Sequence, residues 1–387
     1  MEVLKKGYLE RYQEPLKVAY FSPGRVNLIG EHIDYNGGHV FPCAISLGLY
    51  GTIRPLEDDK IVLISLNVKD KPYETTIGGI SPTAVGKWYD YVLGVIVILE
   101  KHGFKFPHGF EMMIHGDLPN GSGLSSSAAL EMLTMKMCVD LFDFKLDKVT
   151  EAVYCQEAEN KYVGVNCGIM DQFAVSLGRE NHAIYLDTET LKYYYAPLEI
   201  GRNQLIIINC GKRRSLTNSG YNKRRSECEK ALAILKKKYP IKDLCDLSMD
   251  QLRNAQDLFE DYTLYRRARH CVSENERTKE AYQALILHDL VEFGKLMFKS
   301  HNSLRKDYQV SCFELNTLVD FARKHHAKGA RMTGAGFGGC VVVLIKNSRV
   351  AAFIEDVQAN YTNLTGCTPS IYQVNISEGT RKVEVPE

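Results

Sequence analysis

A glycine-rich segment that runs straight into a helical pattern, GDLPNGSGLSSSAALEM at 116–132, constrains the fold more than any other part of the chain. Pro119, Gly121 and Gly123 predict a tight loop with few side chains. Such a loop directs free backbone N–H groups and the positive end of the helix at one point, which suits a phosphate. Three successive hydroxyls, Ser125–Ser127, add hydrogen-bond donors and a candidate magnesium ligand.

A glycine turn followed by a serine N-cap is the simpler interpretation of the same segment. An N-cap needs one serine, however, and this segment has three in succession after two glycines. The segment is not a Walker A loop either, because no lysine follows its last glycine. We therefore favour a phosphate-binding loop that opens a helix.

The apolar pattern changes along the chain from short β-branched segments to long helical repeats. Short segments predict strands of a mainly antiparallel sheet at 18–21, 40–45, 50–55, 61–66 and 109–114. Helical spacing predicts helices at 89–101, 125–142, 148–163, 219–238 and 248–305. Further strands are expected at 204–210, 339–345 and 370–376, with a helix near 348–362. The change near 197–204 places a predicted domain boundary between 1–202 and 203–387.

Length and charge limit what the chain does. Its 387 residues suffice for two domains, and a formal net charge of +1 argues against a nucleic-acid or membrane-surface binder. The basic clusters at 212–214, 223–225 and 236–238 are interpreted as solvated helix faces. The first residues lack the apolar core of a signal peptide, and the longest apolar run, 92–99, is too short to cross a bilayer. Eleven scattered cysteines without a C-x-x-C pair fit a reducing, cytoplasmic setting.

A second glycine-rich segment, GAGFGG at 334–339, matches the letters of a dinucleotide-binding fingerprint but not its context. That fingerprint follows a strand and opens a helix, whereas this segment is followed by CVVVLI, which predicts a strand. We therefore reject a dinucleotide site. A close approach of the backbone to a ligand and a structural tight turn both remain open.

Two carboxylates stand among apolar or small residues and therefore need partners. Asp171 lies in NCGIMDQF at 166–173, and Glu159 interrupts the stripe of small and apolar residues on the predicted helix 148–163. A helix cap for Asp171 and a surface salt bridge for Glu159 are equally acceptable interpretations. Phosphoryl transfer would give both a role alongside the serines and Arg25, because it needs phosphate-binding N–H groups, a held magnesium, an orienting carboxylate and a cation.

The segment GRVNLIGEHIDYNGG at 24–38 carries more charge than a turn between two predicted strands needs. Its glycines and asparagines suffice for a turn, yet it also holds Arg25, Glu31, His32 and Asp34. A metal-binding module at the last three residues is one interpretation, although a mononuclear site usually has more imidazole or thiolate ligands. A site for the hydroxyl-bearing acceptor of a phosphate is the interpretation that we favour.

Five motifs resemble, in order, those of the galactokinase family of GHMP kinases: GRVNLIGEHIDYNGG, LPNGSGLSSSAALE, CGIMDQF, SGYNKRR and GAGFGG. The resemblance covers essentially the whole chain. It implies an α/β (α+β) fold of two domains with the active site in the cleft between them. It also implies Mg²⁺-dependent transfer of a phosphoryl group from ATP to the anomeric hydroxyl of D-galactose, giving α-D-galactose 1-phosphate and ADP, the first committed step of galactose metabolism.

The resemblance also implies roles for individual residues. Arg25 is expected beside the anomeric hydroxyl, and Asp171 is expected as the catalytic carboxylate, kept ionised by that guanidinium. The implied galactose contacts are Glu31, His32, Asp34, Gly168 and Tyr221. The implied nucleotide-phosphate contacts are Gly121, Ser122, Gly123, Leu124, Ser125, Ser126 and Ser127. The implied Mg²⁺ ligands are Ser127 and Glu159.

One position departs from the family pattern, because residue 33 is Ile where many members have Thr. Family kinases that act on N-acetylgalactosamine can also carry Ile here, so that substrate is one alternative. A galactose-sensing regulator without catalysis is another, although the complete serine loop GLSSSAA argues against it. We expect a cytoplasmic monomer that binds small molecules and neither nucleic acid nor membranes.

Overall fold

The computed structural model describes residues 1–118, 123–212 and 217–386. Two residues predicted to contact phosphates, Gly121 and Ser122, lie outside this part of the chain. The strands are β1 Ala19–Asn27, β2 His39–Val40, β3 Pro42–Pro55, β4 Lys60–Ser65, β5 Tyr73–Thr76, β6 Phe110–Gly116, β7 His182–Asp187, β8 Tyr193–Pro197, β9 Asn203–Asn209, β10 Gly329–Thr333, β11 Cys340–Lys346, β12 Ser370–Val374 and β13 Arg381–Val383. The α-helices are α1 Glu2–Tyr12, α2 Asp90–Lys101, α3 Ser126–Phe142, α4 Lys148–Ala158, α5 Met170–Leu177, α6 Thr217–Leu235, α7 Met249–Arg253, α8 Tyr262–Ile286, α9 Leu290–Ser303, α10 Phe313–Lys324 and α11 Asn347–Thr365.

A six-stranded sheet in the order β13-β1-β3-β6-β4-β5 organises the first half of the molecule. Its neighbours are antiparallel except for the parallel pair of β4 and β6. All nine residues of β1 are buried, because β3 and β13 flank this strand and α3 packs against it. The register between β1 and β3 shifts between Pro23 and Arg25. A bulge of this kind redirects a side chain, and Arg25 is the residue that follows it.

The separate strands predicted at 40–45 and 50–55 are wrong, because β3 runs unbroken from Pro42 to Pro55. Gly48 lies in the middle of this strand, where a Cβ would come within 2.3 Å of the carbonyl oxygen of Ser22 on β1. The glycine therefore permits a close approach of two strands and does not mark a turn.

A four-stranded antiparallel sheet in the order β10-β11-β9-β12 organises the second half. Its two central strands carry the apolar runs LIII and CVVVLI, which are buried. Ile206 and Ile208 pack into one apolar cluster, while Leu205 and Ile207 pack into another, as alternation along a strand requires. A small third sheet has the order β2-β7-β8.

The predicted boundary between 1–202 and 203–387 falls just before β9, where the second sheet begins. The chain later crosses back, because β13 pairs with β1 and places Val383 opposite Ala19. Residues 381–383 therefore belong to the first sheet. The division into two linear domains stays a prediction.

Several helices end differently from the prediction. The helix expected at 148–163 is α-helical to Ala158 and continues as one π-helical turn, Glu159–Val163. The region 248–305 divides into α7, α8 and α9, because the side chains of Asp261 and Asp289 cap the last two of these helices. The pattern did not predict α1, α5, α10, β5, β7, β8, β10 or β13. Within the three described ranges, none of the helices combines the length and apolar character that a bilayer crossing requires.

Candidate active site

An arginine–aspartate pair stands at the centre of the candidate site. Arg25 on β1 donates from Nε to Asp171 Oδ1 over 2.8 Å and from Nη2 to Asp171 Oδ2 over 2.6 Å. Its remaining nitrogen, Nη1, donates to the carbonyl oxygen of Gly123 over 2.7 Å. Bidentate, charge-assisted pairs of this kind fix geometry as well as charge. Because Asp171 lies in the first turn of α5, the pair joins the first sheet, the glycine-rich loop and α5.

The three serines at the start of α3 do not share one environment. Ser125, the N-cap residue, has a left-handed backbone with φ of +61°, and its hydroxyl donates to Asp171 Oδ2. Ser126 and Ser127 instead line a different cavity, which contains neither Arg25 nor Asp171 among its described walls. The hydroxyls that the sequence groups together are therefore divided between two parts of the site.

A cavity of about 220 Å³, which we call the first cavity, opens beside the Arg25–Asp171 pair. The predicted site residues that line it are Arg25, Glu31, His32, Asp34, Glu159, Gly168, Asp171 and Tyr221. The other lining residues are Tyr35, Val165, Asn166, Cys167, Met170, Gly334 and Ala335. The fold thus brings every predicted sugar contact to one cavity, together with two residues of the 334–339 loop.

Glu31 is held by the second half of the chain. Its Oε2 accepts from Arg331 Nη2 on β10 and from the backbone N–H of Gly334, each over 3.0 Å. Burial raises the pKa of Glu31, while the Arg331 guanidinium acts in the opposite direction. The backbone here is fixed too, because Glu274 Oε1 on α8 accepts from the N–H groups of Gly30 and Glu31.

His32 has protein partners on both ring nitrogens. Nε2 lies 3.2 Å from the carbonyl oxygen of Ala335, and Nδ1 lies 2.7 Å from the hydroxyl of Tyr35. Because a carbonyl only accepts, Nε2 carries the proton and Nδ1 accepts from Tyr35. Burial lowers the pKa of His32 to about 3, so the ring is neutral at neutral pH. His32 therefore joins the 24–38 segment to the 334–339 loop, and a sugar hydroxyl would reach its ring nitrogens only by displacing one of these partners.

Asp34 and Gly168 lie against each other without room for a side chain between them. A Cβ at position 168 would lie 1.9 Å from Asp34 Oδ2. Burial, with the nearby carboxylates of Asp171 and Glu31, raises the pKa of Asp34 to about 7. Gly168 therefore shapes the first cavity through the carboxylate that it accommodates.

Tyr221 on α6 contributes an aromatic wall to the first cavity. Its ring centroid lies 5.7 Å from that of His32 and 5.4 Å from that of Tyr35, the latter in an edge-to-face arrangement. Burial, with the charge of Asp34, raises the pKa of Tyr221. The Tyr221 hydroxyl therefore keeps its proton and is available as a donor.

Ile33, the residue that departs from the family pattern, is fully buried in the apolar core. Its Cδ1 lies so close to Gly38 that a Cβ on that glycine would be 2.8 Å away. Ile33 is not among the described residues that line the first cavity. The feature that raised the N-acetylgalactosamine alternative therefore acts on packing beneath the site.

The metal-module interpretation of the 24–38 segment finds no support in the geometry. Glu31 and His32 bind different partners, Arg331 and Ala335 respectively. In the ranges that the structure describes, no group of three or more His, Cys, Asp and Glu side chains is arranged to hold a metal ion. Any cation at this site would therefore need ligands from a bound nucleotide or from water.

Glu159 is surrounded by neutral hydrogen-bond donors. Gln172 Nε2 lies 2.6 Å from its Oε2 and Cys167 Sγ lies 3.4 Å from the same oxygen, and Ser127 is near enough to influence the carboxylate. Burial, with the charge of Asp171, raises the pKa of Glu159. A buried carboxylate beside a hydroxyl suits Mg²⁺, which keeps water and phosphate oxygens as its other ligands.

A second cavity, of about 250 Å³, has mainly apolar walls and includes the two serines Ser126 and Ser127. Its other lining residues are Leu49, Ser65, Asn67, Val68, Trp88, Tyr91, Ile114, Gly116, Leu118 and Leu130. The sequence did not reveal this cavity, because most of these residues look like ordinary core positions. Trp88, the single tryptophan of the chain, was the one available signal.

Arg331, Glu274 and Gln172 are site residues that the sequence analysis missed. Each is buried and bonds directly to a residue of the first cavity or to its backbone. A charged residue inside the buried strand GARMT would have drawn attention to Arg331. Gln172 and Glu274 carry no comparable local signal.

Three family models match the chain, each over one part of it. Residues 6–55 match the galactokinase galactose-binding signature, 90–179 match the GHMP kinases N-terminal domain, and 281–363 match the GHMP kinases C-terminal domain. A galactokinase of Clostridium beijerinckii is 47% identical over 385 residues, which cover 99% of each chain. The chain belongs to the galactokinase family.

Other galactokinases agree with this assignment. One from Clostridium acetobutylicum is 46% identical over 380 residues, which cover 98% of this chain and 97% of that relative. A crystal structure of the Lactococcus lactis galactokinase complexed with galactose has a TM-score of 0.95 against this member, at 42% identity and 99% coverage of both chains. The expected GHMP kinase fold of helices and sheets is thereby confirmed. This galactokinase-family member is a kinase, and its GHMP kinase domains imply the use of ATP.

Proposed function

We propose that the enzyme transfers the γ-phosphoryl group of ATP to the anomeric hydroxyl of D-galactose, giving α-D-galactose 1-phosphate and ADP. The observation that carries this proposal is the bidentate pair of Arg25 and Asp171 beside the first cavity, with Ser125 at the start of α3 bonded to the same carboxylate. A sugar in this cavity and a phosphate at the helix N-terminus would meet at that pair. The galactose complex of the Lactococcus lactis relative supports the sugar assignment.

Asp171 acts on the reacting hydroxyl of the sugar. Two N–H groups of Arg25 and the hydroxyl of Ser125 hold its carboxylate in one orientation. Asp171 accepts a hydrogen bond from the anomeric hydroxyl and takes its proton as the oxygen bonds to phosphorus. Arg25 counters the negative charge on the oxygens of the transferring group.

Glu31, Asp34 and Tyr221 bind the other hydroxyls of the sugar. Ionised carboxylates accept hydrogen bonds from neighbouring hydroxyls, and Tyr221 donates one. An epimer that misplaces one hydroxyl leaves one of these buried groups unpaired, so the cavity selects against it. His32 and Gly168 support this arrangement by holding the 334–339 loop and the Asp34 carboxylate in place.

ATP binds at the start of α3 in this proposal. Its phosphates lie against the loop that contains Gly123 and Leu124, and its base enters the second cavity beside Trp88. Ser127 and Glu159 would hold Mg²⁺, which when bound would neutralise charge on the phosphates. The contacts of Gly121 and Ser122 stay predictions, since both lie outside the described residues.

A coupled ADP assay across a panel of hexoses tests the proposal. We expect turnover with D-galactose and MgATP, and much slower turnover with the C4 epimer glucose and with N-acetylgalactosamine. Faster turnover with N-acetylgalactosamine would replace the proposed substrate. Galactose binding without ADP release would indicate a sensor. The monomeric state and the cytoplasmic location stay predictions, for which sedimentation analysis and cell fractionation are the direct measurements.

A further inference from the structure

Two buried carboxylates behind the first cavity share one amide group. Gln172 Nε2 lies 2.9 Å from Glu131 Oε2 and 2.6 Å from Glu159 Oε2. Glu131 and Gln172 are both fully buried. The chemistry proposed above uses Glu159 but gives no role to the other two side chains, although burying a polar pair at this depth is costly unless its bonds are made.

The chemistry of the three side chains fixes the orientation of the amide. Its nitrogen has two N–H groups, and each carboxylate oxygen accepts one of them. The reverse orientation would place the amide oxygen against Glu159 Oε2, which must be ionised to bind a cation, so the amide nitrogen faces this carboxylate. Glu131 Oε1 and Gln172 Oε1 have no hydrogen-bond partner among the described residues. The two bonds from Gln172 Nε2 are therefore the contacts that hold this cluster together.

The cluster is arranged around Glu159. Ser127 and Glu131 lie four residues apart on α3, and therefore on one face of that helix. Ser127 lies near Glu159, whereas Glu131 is connected to Glu159 through Gln172. On α5, Gln172 follows Asp171, so neighbouring residues of one helix serve the Arg25 pair and the Glu159 carboxylate.

We infer that Gln172, anchored by Glu131, is a positioning residue that holds the Glu159 carboxylate in the orientation that binds the divalent cation of the reaction. This inference rests on the proposed function, in which Ser127 and Glu159 are the protein ligands of Mg²⁺. Gln172 and Cys167 both donate to Oε2 of Glu159, which fixes the rotation of the carboxylate. Replacing a side chain that orients a metal ligand typically weakens metal binding by about 10–100-fold.

Binding of Mn²⁺ tests the inference without relying on turnover. Its dissociation constant is measured by electron paramagnetic resonance on the full chain with a non-hydrolysable ATP analogue. We expect Gln172→Leu to raise this constant about tenfold or more, because both N–H groups are lost. Glu131→Leu should raise it less, since Gln172 keeps its bond to Glu159. Glu131→Gln retains an oxygen that accepts from Gln172, so it should preserve an affinity close to that of the wild type.

Thr134→Val is the matched control. Thr134 is also fully buried on α3, and its hydroxyl donates to the carbonyl oxygen of Leu130 in the same helix. This variant should keep the wild-type affinity for both Mn²⁺ and galactose. A folded Gln172→Leu protein that binds Mn²⁺ as tightly as the wild type would overturn the inference. An equal loss of galactose affinity, measured by calorimetry, would also overturn it, because that result indicates a general structural role.

A second pair of variants keeps the test decisive if Gln172→Leu does not fold. Gln172→Asn shortens the amide side chain by one methylene, and Glu131→Leu removes the anchor. Both variants should weaken Mn²⁺ binding. Unchanged Mn²⁺ binding in both would contradict the positioning role.

Turnover separates this inference from the proposed function. A wild-type enzyme that releases no ADP with galactose contradicts the proposed function, whereas the Mn²⁺ series decides the positioning role in either case.

Discussion

The two cavities of the candidate active site are built in opposite ways. The first is lined by ionisable and hydroxyl-bearing side chains that already bind protein partners, such as Arg25 with Asp171 and Glu31 with Arg331. The second is lined mainly by apolar side chains, with serines where it meets α3. If the first cavity binds the sugar and the second the nucleotide, as proposed, the sugar is oriented by ion pairs formed before it arrives, whereas the nucleotide is held by shape and apolar contact.

Replacement of Asp171, which lines the first cavity, should cause the largest loss of turnover. Asp171→Asn keeps the size of the side chain but removes the proton acceptor, so turnover in a coupled ADP assay should fall by about 10²–10⁴-fold. Galactose binding, measured by calorimetry, should survive. Asp140→Asn is the control, because Asp140 pairs with Lys136 on α3 outside both cavities. Turnover at the wild-type rate in Asp171→Asn would rule out Asp171 as the catalytic carboxylate.

A methyl group at position 168 tests the fit within the same cavity. In Gly168→Ala the new Cβ would meet Asp34 Oδ2 at 1.9 Å, so the carboxylate must move. The KM for galactose should rise by about 10–100-fold, which corresponds to about 1.4–2.8 kcal/mol, while the KM for ATP changes little. Gly78→Ala is the matched control, because nothing lies within 4 Å of a Cβ there. An unchanged KM for galactose would show that Asp34 is not a sugar ligand in this position.

Replacement of Trp88 tests whether the second cavity binds ATP. Trp88→Ala removes a large ring from its wall, so the KM for ATP should rise about tenfold while the KM for galactose stays the same. Val85→Ala, at a nearby exposed position outside this cavity, is the control for a change in the same segment. If the KM for galactose rose as much as that for ATP, the two cavities would not be separate binding sites.

The smallest expected effect is that of pH on galactose binding in the first cavity. Because burial and its carboxylate neighbours raise the pKa of Asp34 to about 7, the residue gains a proton below that pH and offers one acceptor fewer to the sugar. The dissociation constant for galactose should therefore rise about threefold between about pH 8 and about pH 6. Asp34→Asn should abolish this dependence. A flat profile in the wild type would contradict the assignment.

Protonation of Asp34 should weaken galactose binding but stabilise the folded, ligand-free protein. The pKa of Asp34 is about 7 in the folded protein and about 3.9 in an unfolded chain, so the folded state holds the proton more tightly. The stabilisation is present below about pH 4 and is lost as the pH rises through about 7. Asp34→Asn should flatten this part of a profile of melting temperature against pH for the ligand-free protein.

The sequence predicted the residues of the first cavity well because charged side chains are unusual in apolar segments. Arg25, Glu31 and Asp171 are charges among apolar neighbours, and a buried charge requires a partner or a function. The second cavity could not be predicted in this way, because leucines such as Leu118 and Leu130 are equally common in a core that binds no ligand. The role of a single residue such as Ser125 could not be predicted from the sequence. The direction of its hydroxyl depends on a left-handed φ that the pattern SSS does not encode.

Long-range pairing limited the prediction of the fold in a similar way. Alternation and helical spacing located most strands and helices, but they describe only neighbours along the chain. The union of two predicted strands in β3 depends on Gly48 facing another strand, and the partner of His32 at Ala335 comes from the other half of the sequence. Contacts of this kind are decided by packing, which local propensity does not contain.

β13 flanks the strand that carries Arg25, and this has a consequence for the newly made chain. Tyr20 and Phe21 pair with β13 on one side and with β3 on the other, so this part of β1 has an open edge until residues 381–383 have been synthesised. On the ribosome the segment that matches the galactose-binding signature is therefore complete hundreds of residues before the sheet beneath it is closed. Over that interval the nascent chain presents unpaired backbone groups that invite association with other chains. Chaperone protection of this edge would matter most during translation of the second half of the protein.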